Sequence, residues 1–182
     1  MRFDDDSYIE AFYQRGEYPK IHNDIFHISH NLRDEIVLDL GSCTGLLSKR
    51  LSTRNKAVVG IEANANSFAK SVLGDNIIYY NLKVNDATLP RVKEILILHG
   101  VQTVYARRVF PELYDTGGLA LVKKVCALFA EVGIQHIVIE GRQKTPNATN
   151  LLSNVDAECA IFSEHYRVIK TYKNCRILKL RE

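Results

Sequence analysis

Short apolar runs alternate with amphipathic stretches along most of this chain. Seven runs of apolar or alternating residues predict β-strands at 36–40, 57–61, 76–80, 101–105, 134–139, 167–172 and 175–180. Apolar residues that recur every three or four positions predict helices at 44–54, 64–73, 91–99 and 121–132. The last of these has the clearest period, and Gly133 follows it as a helix stop.

The order of these elements predicts how the strands pair. Strands joined by a helix run parallel, because the connection crosses over the sheet. Only Lys173 and Asn174 separate the last two runs, so a tight hairpin makes them antiparallel. We therefore expect an α/β fold with a doubly wound, mainly parallel, seven-stranded sheet, an antiparallel C-terminal hairpin strand and helices on both faces. Residues 1–34 are expected to form a cap of helix and loop on a single domain at 35–182.

Composition narrows the class of protein without indicating a function. With 182 residues, 46% of them apolar and 25% charged, the chain has the composition of an ordinary globular domain. No apolar run approaches the roughly 20 residues of a membrane helix, and the acidic N-terminus is unlike a signal peptide. The four cysteines are far apart, so no disulfide framework is expected. A cytoplasmic protein without a membrane partner is the expectation.

The candidate ligand site follows the first strand, because doubly wound sheets bind ligands beyond the carboxyl ends of their strands. Residues 39–45 read Asp-Leu-Gly-Ser-Cys-Thr-Gly, in which Gly41 and Gly45 allow a tight turn and a close approach of the backbone to a ligand. A dinucleotide site needs glycine at 41, 43 and 46, but Cys43 and Leu46 occupy two of these positions. An ordinary glycine turn between a strand and a helix is the alternative interpretation.

The same segment resembles motif I of the class I S-adenosylmethionine (SAM)-dependent methyltransferases, an acidic residue followed by glycines two and six positions later. Asp39, Gly41 and Gly45 match that pattern, and the resemblance extends over about residues 36–180. It implies a Rossmann-like fold, SAM as the methyl donor and S-adenosylhomocysteine as the product.

The resemblance also implies which residues hold the cofactor. Glu62, at the end of the second strand, matches the acid that accepts hydrogen bonds from both ribose hydroxyls. Asp86, after the third strand, matches the acid that accepts from the adenine amine. A surface acid at a strand end and a turn aspartate are the alternatives for these two residues. The predicted cofactor residues are Asp39, Gly41, Ser42, Cys43, Gly45, Glu62, Ala63, Asp86, Ala87 and Tyr105.

The methyl acceptor is expected beyond the fourth and fifth strands. Arg107 and Arg108 are predicted on a loop after the fourth strand, where guanidinium groups suit a carboxylate, a phosphate or an RNA backbone. Glu140 and Arg142 follow the fifth strand. Tyr18 belongs to an N-terminal segment that members of the resembled family often fold over the cofactor. A solvated arginine pair, a polar loop and a simple cap on the sheet are the alternatives.

The sequence assigns no catalytic residue. The Asp/Asn-Pro-Pro-aromatic box of amino-methylating enzymes is absent after the fourth strand, as is a Pro-Cys nucleophile for cytosine C5. The histidines lack metal-ligand spacing, so no metal is expected. The leading hypothesis is a methyltransferase whose acceptor, a small molecule or a nucleic acid, is not identified by the sequence; a small anionic molecule and RNA are the candidates considered. A SAM- or nucleoside-binding module without transferase activity and an NAD(P)-dependent oxidoreductase are the alternatives.

Overall fold

One sheet of seven strands organises the part of the chain that the structure describes. The computed structural model describes residues 22–141, 152 and 154–182. The strands are β1 (Ile36–Leu40), β2 (Ala57–Glu62), β3 (Ile77–Asn81), β4 (Thr103–Arg107), β5 (His136–Glu140), β6 (Tyr166–Tyr172) and β7 (Cys175–Leu180). Their order across the sheet is β3-β2-β1-β4-β5-β7-β6. β7 is antiparallel to both of its neighbours and the remaining pairs are parallel, which confirms the predicted fold class.

Helices cover both faces of this sheet. The described residues contain α1 (Asn23–Ile28), α2 (Leu46–Ser52), α3 (Ala65–Ala69), α4 (Leu89–His99), α5 (Phe110–Glu131) and α6 (Val155–Phe162). Successive strand residues point to opposite faces, so Val37 packs with α1 and α2 while Leu38 packs with α4, α5 and α6. α3 ends at Ala69 and is therefore shorter than the predicted helix at 64–73. Beyond it, the N–H of Val72 donates to the carbonyl of Thr44 (3.0 Å) instead of to a helix carbonyl.

The fourth strand lies two residues further along the chain than predicted. Val101 lies just after α4, and its backbone N–H donates to the carbonyl of Leu96 (3.0 Å), which closes the end of that helix. β4 therefore begins at Thr103 and ends at Arg107 rather than at Tyr105. This shift moves Arg107 from the predicted loop into the sheet.

A helix, rather than the predicted loop, follows β4 almost directly. α5 begins at Phe110 and has Pro111 in its first turn, where the missing N–H of proline leaves no hydrogen bond unmade. Only 121–132 was predicted as helical, because Gly117 and Gly118 interrupt the apolar period. These two glycines have non-helical backbone angles and divide α5 into two segments.

α1 packs against β5, β6 and β7. The Nζ of Lys170 donates to the carbonyl of Ile28 (2.9 Å), and Lys173 pairs with Asp24 (2.8 Å), so both ends of α1 are tied to the C-terminal hairpin. The helix falls inside the N-terminal cap predicted for 1–34, of which residues 1–21 lie outside the described residues. In the described part of the chain, no helix combines the length and the apolar character that crossing a membrane requires.

Candidate functional site

The turn between β1 and α2, here called the glycine loop (residues 41–45), folds over the end of β2. The backbone N–H groups of Gly41 and Ser42 both donate to the carbonyl of Ile61, at 2.9 and 3.1 Å. Gly41 and Gly45 have φ angles of +70° and +76°, a region that glycine enters without strain. Strand order reverses between β1 and β4, so the glycine loop lies where doubly wound sheets bind their ligands.

Close packing accounts for glycine at both ends of the loop. A Cβ atom on Gly41 would lie 2.7 Å from Cγ2 of Val109. A Cβ atom on Gly45 would overlap the hydroxyl of Tyr79, which donates to the carbonyl of Val72 (3.0 Å). The glycines are therefore needed by the protein itself, and the evidence for a ligand has to come from the polar groups around them.

The carboxylate of Glu62 ties the end of β2 to the glycine loop. Its Oε2 accepts from the N–H of Cys43 (2.6 Å) and its Oε1 from the N–H of Asn64 (2.7 Å). Burial raises the pKa of Glu62, and hydrogen bonds from the backbone N–H groups of Asn64, Cys43 and Ala63 oppose the rise. A carboxylate has about four lone-pair positions, so Glu62 keeps acceptor capacity beyond these bonds. Ala63, predicted beside it, is exposed.

Asp39 and Ser42 lie beneath the glycine loop with their side chains almost fully buried. The hydroxyl of Ser48, in α2, donates to Oδ2 of Asp39 (2.6 Å). Burial raises the pKa of Asp39 to about 7, with a smaller contribution from the charge of Glu62, and the Ser48 hydrogen bond opposes the rise. Both residues were predicted to bind the cofactor, and this stays a prediction; in the structure their side chains are buried behind the loop.

The carboxylate of Asp86 lies at the surface. Its Oδ1 pairs with the Nζ of Lys124 in α5 (2.7 Å), and the two side chains are 62% and 57% exposed. Ion pairs this exposed contribute about 0–1 kcal/mol to stability, so Asp86 can exchange this partner for another donor. The neighbouring Ala87 is exposed as well.

Tyr105 does not belong to the strand-end site. It lies inside β4, with its side chain fully buried on the face that α1 and α2 cover. Its hydroxyl accepts from Nη2 of Arg54 (3.2 Å). The strand ends two residues later than predicted, and the Tyr105 side chain points into the core; its assignment as a cofactor residue stays a prediction.

Arg107 and Glu140 form a buried ion pair where β4 and β5 end. They are register partners in the sheet, and Nε of Arg107 donates to Oε1 of Glu140 (3.1 Å). Their side chains are 17% and 10% exposed, so the alternative of a solvated arginine on a loop does not hold for Arg107. Arg108 follows with φ of +57°, and its backbone N–H donates to the carbonyl of Glu140 (2.8 Å).

The second carboxylate oxygen of Glu140 has a different environment from the first. Oε2 is buried and has no hydrogen-bond partner among the described residues. Burial raises the pKa of Glu140, and the charges of Arg107 and Arg108 oppose the rise. A buried acceptor without a donor costs about 1–3 kcal/mol of stability, so this oxygen is a candidate ligand-binding atom.

His22 lies close to this ion pair at the start of α1. Burial, together with the charges of Arg107 and Arg50, lowers the pKa of His22 to about 3. Its imidazole is therefore neutral near pH 7, and it adds no positive charge beside Arg107.

Three residues near the glycine loop were not predicted from the sequence. Ser48, Tyr79 and Val109 contact or support the glycine loop from α2, from β3 and from the position just before α5. No sequence signal identifies them, because each is an ordinary residue whose role comes from what packs against it. Tyr18 and Arg142, both predicted to bind the acceptor, lie outside the described residues.

Comparisons with known proteins relate the chain to solved structures. No protein-family model matches the sequence, and a sequence search of curated proteins finds no match. The bifunctional kinase-methyltransferase WbdD aligns with 90% of this chain at a TM-score of 0.64 and 19% identity. This chain spans 39% of the WbdD chain.

Two smaller methyltransferases align over most of their own length. The N-methyltransferase NodS from Bradyrhizobium japonicum WM9 matches 90% of this chain and 96% of its own, with a TM-score of 0.65 and 10% identity. The magnesium protoporphyrin IX methyltransferase ChlM from Synechocystis PCC 6803, solved with bound SAM, matches 100% of this chain and 85% of its own, with a TM-score of 0.60 and 14% identity. The chain has the class I methyltransferase fold. This fold places the glycine loop and Glu62 on the edge of the sheet that carries the candidate site.

Proposed function

We propose that this protein is a SAM-dependent methyltransferase. The observation that carries the proposal is the junction between the glycine loop and Glu62 at the reversal of strand order. The N–H groups of Cys43 and Asn64 fix the Glu62 carboxylate and leave it acceptor capacity for hydroxyl donors. Solved methyltransferases with the same fold, one with bound SAM and one with S-adenosylhomocysteine, support the same activity.

The described residues match the chemistry of SAM. Glu62 would accept from the ribose hydroxyls, the glycine loop would pass beside the methionine part, and the exposed Asp86 and Ala87 would meet the adenine. When bound, SAM supplies a methyl group activated by the sulfonium charge, so no covalent nucleophile is required of the protein. The protein orients the acceptor in line with the reacting bond and excludes water.

Calorimetric titration with SAM, S-adenosylhomocysteine and NAD tests the proposal. We expect binding of SAM and its product and no binding of NAD, because the dinucleotide glycines are missing at 43 and 46. NAD binding without SAM binding would contradict the proposal. SAM binding without methyl transfer to any acceptor would favour a binding module without transferase activity.

The variant Glu62→Ala is expected to weaken SAM binding by about 1–3 kcal/mol, since two hydroxyls lose a charged acceptor. Glu62→Gln keeps one amide oxygen and should lose less. Glu94→Ala is the control, because Glu94 is an exposed glutamate on α4. Calorimetry gives the affinities and circular dichroism confirms folding. Unchanged SAM affinity in a folded Glu62→Ala protein would remove Glu62 from the site.

A further inference from the structure

The buried oxygen Oε2 of Glu140 lies on the acceptor side of the proposed SAM site. Glu62 ends β2 and Glu140 ends β5, so β1 and β4 lie between them. Three strand spacings separate the two carboxylates by roughly 14 Å. Both are at the carboxyl ends of parallel strands, and therefore at the same edge of the sheet.

The arrangement around Glu140 holds its carboxylate in place and leaves one oxygen for a donor. Nε of Arg107 fixes Oε1 at 3.1 Å. Oε2 is buried and has no donor among the described residues. A buried carboxylate oxygen is stabilised by a hydrogen bond, so a ligand that donates an O–H or N–H group would bind here favourably.

The charges around Glu140 argue against a cationic acceptor. Arg107 offsets the charge of Glu140, and His22 beside Arg107 is neutral near pH 7. Asp24, which also faces Glu140 from α1, is paired with Lys173. No net negative charge is therefore left in this group to stabilise an ammonium ion.

The chemistry of the carboxylate indicates which hydroxyl it suits. Proton transfer is efficient when the acidities of donor and acceptor are not far apart. A phenol has a pKa of about 10, whereas an aliphatic alcohol is a far weaker acid. A ribose 2′-hydroxyl, and therefore RNA, fits this site less well than a phenol or an enol.

We propose that Oε2 of Glu140 binds the methyl acceptor and takes up its proton, and that the acceptor is a phenol or enol hydroxyl on a small molecule without positive charge. This inference rests on the proposed methyltransferase function. A lone pair of the hydroxyl oxygen forms the new C–O bond, and the electron pair of the broken C–S bond stays on sulfur, which becomes a neutral thioether. The hydroxyl proton moves to Oε2 of Glu140 and then to solvent.

Three probes that differ in one feature each test the acceptor class. 4-Hydroxybenzoate has an acidic hydroxyl and no positive charge, 4-methoxybenzoate lacks the hydroxyl proton, and 4-hydroxybenzylamine carries an ammonium group in place of the carboxylate. With methyl-labelled SAM, we expect 4-hydroxybenzoate to give 4-methoxybenzoate, identified by chromatography against the authentic compound. Saturation-transfer NMR should show that 4-hydroxybenzoate binds at least tenfold more tightly than the other two probes.

The variant Glu140→Gln tests the role of the oxygen. Glutamine can still hydrogen-bond the hydroxyl but cannot accept its proton, so kcat should fall about 10²- to 10⁴-fold while KM changes less than tenfold. SAM affinity should stay within twofold. Glu94→Gln is the matched control, because Glu94 is also paired with an arginine but is exposed, and it should keep full turnover.

The outcomes separate this inference from the proposed function. If SAM binds and Glu140→Gln keeps full turnover, or if the ammonium probe is methylated as well as 4-hydroxybenzoate, the inference is overturned and the methyltransferase proposal stands. SAM binding with no methylation of 4-hydroxybenzoate or of the enol probe 1,3-cyclohexanedione overturns the inferred acceptor class. Failure to bind SAM contradicts the proposed function itself.

Discussion

Three carboxylates at the strand ends differ in what surrounds them. Asp39 is buried and accepts from the Ser48 hydroxyl, while Glu62 accepts from two backbone N–H groups. Glu140 is paired with Arg107 through one oxygen only. Burial raises the pKa of all three, and the partners of each group then decide its role.

Asp39 makes stability depend on pH. Its pKa in the folded protein, about 7, lies above the ordinary value of 3.8, so the folded state holds a proton that the unfolded state releases. Its contribution to stability is therefore complete below about pH 4 and is lost as pH rises towards 7, with a slope of at most about 1.4 kcal/mol per pH unit. Asp39→Asn should reduce that slope in urea unfolding measured from pH 5 to 8.

The exposed Asp86 provides the control for this prediction. Asp86→Asn makes the same chemical change in a surface ion pair with Lys124, so the slope should remain as in the wild type. An Asp39→Asn protein with the full wild-type slope would show that Asp39 is ionised in the folded state at pH 5, against this interpretation.

At the scale of the element, α5 shows how two residues redirect a helix. Gly118 has φ of 66° and ψ of −169°, a combination that essentially only glycine adopts. Both segments pack against α6: Phe110, before the break, contacts Phe162 (ring centroids 4.8 Å), and the thiol of Cys126, after it, donates to the carbonyl of Ile161 (3.9 Å). The break therefore redirects the helix while both segments stay in the core.

Gly118→Asn is expected to destabilise the protein by about 1–3 kcal/mol, because asparagine cannot adopt these backbone angles without strain. Gly100→Asn is the matched control: Gly100 has φ of 64° but ψ of 44°, in the left-handed region that asparagine tolerates. At either glycine, a Cβ atom would meet no heavy atom of the described residues within 4 Å. Chemical denaturation measures both variants, and equal losses would show that the angles at Gly118 do not matter.

At the scale of the whole molecule, ligand binding should raise the stability of the folded protein. A ligand that binds only the folded state at 100 times its Kd adds about 2.7 kcal/mol. For a domain of this size, SAM should therefore raise Tm by roughly 5–10 °C. Differential scanning fluorimetry with SAM, and with NAD at the same concentration as the control, measures the shift. Equal shifts with both ligands would argue against a site selective for SAM.

The sequence by itself determined the sheet and predicted a location for the site. Strand and helix periods are local, and a helical crossover forces parallel pairing, so the seven strands and the antiparallel last strand followed from the order of elements. The glycine loop could also be predicted, because one short turn takes up both Gly41 and Gly45 at positive φ. Bounds for α6 were not predicted, although Val155, Cys159 and Phe162 recur at helical spacing.

Only the tertiary structure decided what each side chain contacts. Arg107 pairs with Glu140, 33 residues away, and Lys124 pairs with Asp86, 38 residues away. Tyr105 points into the core because β4 continues to Arg107. A strand ends where hydrogen bonds to its neighbours end, and a buried charge takes whichever partner the fold brings near. Neither the end of a strand nor the partner of a buried charge is encoded in a short stretch of sequence, so the pair of Arg107 and Glu140 became visible only in three dimensions.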